Sequence, residues 1–99
     1  MKKQIVQFDF TSGGAQEYDK AWEELKKAGH ENPNGLLYHA AGPKDSGGWL
    51  VVDVWESREA FDEFSKTLGP IIQKLNLTAA PPVFTPVYNI YEPKEVLTP

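Results

Sequence analysis

The chain has 99 residues, a formal net charge of −4, 40% hydrophobic and 24% charged residues, which describes one folded domain with a modest core rather than a disordered chain. It has no cysteine, so disulfides, thiolate metal sites, iron–sulfur clusters and Cys nucleophiles are excluded. The acidic balance argues against a grip on nucleic acid or anionic membranes, no apolar run reaches the roughly 18 residues of a membrane span, and Met1-Lys2-Lys3-Gln4-Ile5 opens no signal peptide, so a cytoplasmic protein is predicted.

Residues 4–10, QIVQFDF, alternate Val6, Phe8 and Phe10 with Gln7 and Asp9, which predicts a strand. Thr11-Ser12-Gly13-Gly14 breaks it and offers hydroxyls to cap a helix over residues 15–28. On that helix Tyr18, Trp22 and Leu25 share one face, acids lead, bases follow, and Gly29 stops it. His30 to Gly35 reads as a loop, with His30 in solvent. Leu36 to Ala41 is a short strand, and Gly42 to Gly48 a hairpin connection too long to fix the register. Trp49 to Glu56 is the clearest strand, with Leu50, Val52 and Val54 on one face and Trp49, Val51, Asp53 and Trp55 on the other. Ser57 caps a second helix that runs to Leu75, with a kink or restart expected at Gly69-Pro70. Val83 to Tyr91 is a last strand, which Pro86 assigns to a sheet edge. The domain spans residues 1–92, and 93–99 form a tail.

The order β-α-β-β-α-β, with right-handed crossovers, predicts an α+β ferredoxin-like plait whose antiparallel sheet runs 4-1-3-2. Both helices then cover one face of the sheet. The aliphatic row Leu50, Val52, Val54 is expected to meet them, leaving Trp49, Val51, Asp53 and Trp55 on the far side. Two tryptophans there would expose too large an apolar patch for a settled monomer, so a homodimer is expected, with Trp55 and the last strand in its interface and the two sheets forming a dimeric α/β barrel. Asp53 inside such a space needs a partner.

Residues 35–64 resemble the dimeric α/β-barrel superfamily, near the antibiotic biosynthesis monooxygenase-like group. The resemblance rests on Gly35-Leu36, His39, Gly47-Gly48-Trp49 and Asp53-Val54-Trp55-Glu56-Ser57, with Asn89 fitting as well. It implies a homodimer with one pocket per subunit. The group includes cofactor-free quinol oxygenases, haem-degrading enzymes and polyketide cyclases. The haem-degrading members use a helix histidine, and neither predicted helix carries one.

His39, alone among the histidines on a strand, is the candidate general base or orienting donor; the competing reading is a structural histidine bonded across the sheet. Asp53 is its candidate orienter, or a buried carboxylate bonded elsewhere, and the register decides whether the two meet. Trp49 and Trp55 are candidates to stack on a planar aromatic ligand, against a simpler role in a dimer core. Tyr18 and Trp22 have the spacing of ordinary helix packing, with a pocket wall as the alternative. Asn89 is a candidate ligand or dimer contact in the last strand. No phosphate-binding glycine motif occurs, and two distant histidines with no cysteine leave no set for a metal, so neither cofactor nor metal is predicted. Three functions compete: a cofactor-independent monooxygenase acting on a phenolic or quinol-like molecule, a non-catalytic ligand-binding or stress-associated module, and a polyketide-cyclase-like enzyme.

Overall fold

The computed structural model describes residues 2–92; the predicted tail lies outside them. Six elements follow in order: β1 Gln4–Phe10, α1 Ala15–Lys27, β2 Leu36–Pro43, β3 Trp49–Trp55, α2 Arg58–Lys74 and β4 Val83–Pro86. The sheet is antiparallel in the order β2-β3-β1-β4, the expected plait, and within one chain it is open, with β2 and β4 as its edges.

The faces of β3 are the reverse of those expected. In β1, Val6 and Phe8 are buried while Gln7 and Asp9 face out. The register pairs Val6 with Asp53, Phe8 with Val51 and Phe10 with Trp49. Paired residues share a face, so Trp49, Val51, Asp53 and Trp55 turn toward the helices. Trp55 is fully buried, its ring packed 5.0 Å from that of Phe64 and 5.8 Å from that of Phe61. It belongs to its own chain's core and is not available to a dimer interface. Leu50, Val52 and Val54 lie on the outer face, half-buried beside Ile5. The larger aromatics fill the space between sheet and helices, which smaller aliphatic side chains leave less well packed.

Each helix end has a local cause. α1 starts at Gly14, whose N–H donates to the Glu17 carboxylate at 2.9 Å. The expected Ser12 cap is absent because the Ser12 hydroxyl accepts from the Thr78 N–H at 3.0 Å instead. α1 ends in a Schellman turn: His30 N–H donates to the Leu25 carbonyl and Gly29 N–H to that of Lys26, with Gly29 at φ +86°. His30 is half-buried against Phe64 and Thr67 rather than in solvent. Ser57 caps α2 by accepting from the Ala60 N–H at 3.1 Å. α2 runs unbroken through Pro70, so no restart occurs there; Lys66, Gly69 and Pro70 are exposed, and water can satisfy the carbonyl that Pro70 leaves without a donor. Glu24 on α1 joins the helices through Lys74 on α2. That bond, and a second to Lys27, hold the Glu24 carboxyl below its usual range.

β4 is shorter than expected. Gln4 pairs with Pro86, and Val87 N–H donates to the Lys3 carbonyl at 2.9 Å. Beyond that point β1 offers no further partner. Gly48, at φ +90°, sets the entry to β3: a Cβ there would lie 2.1 Å from the Phe10 carbonyl oxygen, so only glycine fits.

Candidate functional site

A cavity of about 80 Å³ lies between the sheet and the helices. The sheet supplies Phe8, Phe10, His39, Trp49 and Asp53, while α1 supplies Tyr18 and Trp22. Ser12, Gly13 and Gly14, just before α1, line it as well.

Four side chains at this largely apolar space form one hydrogen-bonded chain, while Ser12 and Glu17, which also line it, bond to the Thr78 and Gly14 N–H groups. His39 and Asp53 sit directly opposite each other on β2 and β3. His39 Nδ1 is 2.6 Å from Asp53 Oδ1, and Trp55 Nε1–H donates to Asp53 Oδ2 at 3.2 Å. Tyr18 Oη is 2.6 Å from His39 Nε2. An ionised carboxylate only accepts, so in a neutral imidazole Nδ1 carries the proton and donates to Asp53. Nε2 is then the acceptor, and the Tyr18 hydroxyl donates to it. Both oxygens of the buried Asp53 are bonded, which compensates its loss of water.

Aromatic rings fix the imidazole. The Tyr18 ring lies nearly parallel to it, at 5.9 Å between ring centres, and Trp22 meets it edge-on at 5.3 Å. The i, i+4 spacing that reads as plain helix packing therefore brings both side chains onto His39. Trp49 lies 5.4 Å from Tyr18, and its indole N–H is buried with no partner among the described residues.

A bulge at the start of β2 aims the histidine. Leu36 pairs with Trp55 and Tyr38 with Val54, so Leu37 is the extra residue. Simple alternation would put His39 on the face of Leu37. Instead Leu36 and His39 both line the cavity, and Leu37 is exposed. Of the predicted site residues, His39, Asp53, Trp49, Tyr18 and Trp22 meet at the cavity, and Trp55 supports Asp53 from within the core. Asn89 does not join them: it follows the end of β4, is exposed, and lies beside Lys2, Lys3 and Tyr88. Sequence reasoning missed the Tyr18–His39 bond, for which helical spacing was the one available signal.

Comparison with solved structures returns the same fold. SnoaB, a cofactor-independent oxygenase from Streptomyces nogalater, aligns over 91% of this chain and 97% of its own, with a TM-score of 0.66 and 15% identity. A monooxygenase from the gene ActVA-Orf6 of Streptomyces coelicolor, solved with the ligand nanaomycin D, aligns over 94% of each chain with a TM-score of 0.60 and 21% identity. A dimeric ferredoxin-like protein from Jannaschia sp. CCS1 aligns over 86% of this chain and 99% of its own, with a TM-score of 0.56 and 12% identity. At these identities the likeness carries the fold alone. Comparison with curated proteins finds no match. No helix among the described residues is long and apolar enough to cross a membrane. Residues 1–69, from β1 through most of α2 and including Tyr18, His39 and Asp53, match the antibiotic biosynthesis monooxygenase family, to which this chain belongs.

Proposed function

We propose that the protein is a cofactor-independent monooxygenase acting on a small phenolic or quinol-like molecule in the cavity of His39. The observation that carries this reading is the hydrogen-bonded chain Asp53–His39–Tyr18, set in a largely apolar, aromatic-walled space. His39, oriented by Asp53, serves as the base on which the phenolic proton ends. The electron-rich anion then reduces oxygen itself. It forms a carbon–oxygen bond to give a hydroperoxide, which loses water and leaves a carbonyl. One oxygen atom ends in the product, the other in water, and the substrate supplies the electrons. The unpaired Trp49 indole N–H offers a donor for a substrate oxygen.

The cavity volume limits the substrate. About 80 Å³ is well below the hundreds of Å³ usual for ligand pockets, so a single-ring quinol enters with the least adjustment and a fused polycycle requires the α1 side chains to retract. The same size favours the second reading, a non-catalytic module that holds a small aromatic ligand. Oxygen uptake separates them. Turnover of a series of hydroquinones, naphthoquinols and anthrones, with no added flavin, nicotinamide or metal, supports the oxygenase; binding of these compounds with no oxygen uptake supports the module.

A homodimer is part of this proposal, on a corrected surface. Ile5, Leu50, Val52 and Val54 form an aliphatic strip on the outer sheet face, flanked by exposed Tyr38 and Val83, and a second copy covers it. Light scattering is expected to give about twice the chain mass of 11.1 kDa, and Val52→Lys to give a folded monomer. A monomeric wild type at micromolar concentration refutes this interface.

A further inference from the structure

We infer that the Tyr18 hydroxyl, rather than the imidazole, is the group that touches the substrate, and that His39 and Asp53 act through it. This rests on the proposed reading of the cavity as a site for a phenol. Both imidazole nitrogens are engaged: Nδ1 at 2.6 Å from Asp53 and Nε2 at 2.6 Å from Tyr18. Trp22 meets the ring edge-on, and Tyr18 lies nearly parallel to it with its hydroxyl end at Nε2. No lone pair on His39 remains for a substrate proton. Tyr18 Oη donates its proton to Nε2 and keeps acceptor capacity of its own, on a side chain that lines the cavity.

The step balances as a double transfer. The substrate hydroxyl gives its proton to Tyr18 Oη as the Tyr18 proton passes to His39 Nε2. The products are a phenolate, a tyrosine restored to its starting form, and an imidazolium held by the Asp53 carboxylate. No electron moves. The reverse transfer later returns the proton to an oxygen of the reacting substrate. Tyr18 also sets substrate choice: the ligand must present a hydroxyl within hydrogen-bond reach of a tyrosine oxygen, which a ketone or ether lacking a hydroxyl cannot do.

The test uses 4-nitrophenol, whose anion absorbs in the visible, bound by the full chain at a pH where the free probe is mostly protonated. Wild type is expected to bind it as the phenolate, with His39 side-chain nitrogen signals moving to the imidazolium form. Tyr18→Phe keeps the ring contacts and is expected to lower the bound phenolate fraction about tenfold or more, equivalent to about one pK unit. Fluorotyrosine at position 18, similar in shape but more acidic, is expected to shift the pH midpoint of the bound probe, a change that a purely structural tyrosine would not produce. Full ionisation of the probe in Tyr18→Phe overturns the inference, because the probe then reaches His39 directly. A wild type that leaves the probe protonated or unbound, or a fluorotyrosine variant with an unmoved midpoint, overturns it as well. The oxygenase reading fails separately: a chain that ionises the probe through Tyr18 yet consumes no oxygen with any quinol keeps the relay and loses the oxygenase.

Discussion

Replacing His39 with alanine is expected to slow oxygen uptake on a quinol substrate by about 10²–10⁴-fold, the usual range for removing a positioned acid–base group. The expectation follows from where the proton must go. Asp53 is buried behind the imidazole, and His39 Nε2 is the acceptor to which the Tyr18 hydroxyl is bonded. Without His39 the Tyr18 hydroxyl loses the base to which it is bonded, and Glu17, the other carboxylate beside Asp53 in the cavity lining, is held by the Gly14 N–H. The same change removes a charge-assisted bond from a buried carboxylate, so about 1–3 kcal/mol of stability is lost with it. His39→Gln separates the two effects. Its amide can still donate to Asp53 but cannot carry the proton, so the rate stays low while much of the stability returns. Steady-state oxygen uptake and thermal unfolding on both variants check this, and normal turnover by His39→Ala removes the histidine from the chemistry.

Trp55→Ala is expected to cost about 3–5 kcal/mol, the range for deleting a large buried aromatic side chain. In a domain of this size that lowers Tm by at least about 12 °C. Trp55 is fully buried between Phe61 and Phe64, and its N–H satisfies one oxygen of Asp53, so the change opens a cavity and unpairs a buried carboxylate together. Trp55→Phe keeps most of the packing and loses only the bond, so its cost is smaller. Calorimetry distinguishes this from a role between subunits. A Trp55→Ala chain that dissociates to monomers but unfolds at the wild-type temperature would return Trp55 to an interface.

Element order, sheet order and the edge position of β4 were legible because alternation, helical spacing, Ser57, Gly29 and Pro86 are local signals, each with its own physical cause. The faces of β3 were not. Both of its faces are apolar enough to be buried, and alternation gives two sets without saying which is inside. The pairing of Val6, Phe8 and Phe10 with Asp53, Val51 and Trp49 decides it, and that pairing is a non-local fact. The aim of His39 was hidden for a related reason: a bulge of one residue at Leu37 shifts the alternation, and Gly42 and Pro43 stand at the far end of the strand and do not mark it. The residues of the site were readable as types, with a strand histidine, a strand aspartate and aromatic residues nearby. Their connection was not, because Tyr18 comes from α1 and meets His39 only once the helix is docked on the sheet. Asn89 was misplaced by extending β4 past the end of β1, which a propensity reading of a single segment cannot detect.

Nitrogen-15 spectroscopy of the His39 side chain reads the directed chain from Asp53 through His39 to Tyr18 atom by atom. With the ring neutral, the expected spectrum has a protonated Nδ1 whose proton is shifted by the Asp53 bond, and a bare Nε2 that senses the Tyr18 hydroxyl, so that Tyr18→Phe moves the Nε2 signal and leaves Nδ1 nearly unchanged. A neutral ring protonated at Nε2, or an Nε2 signal indifferent to Tyr18→Phe, contradicts it.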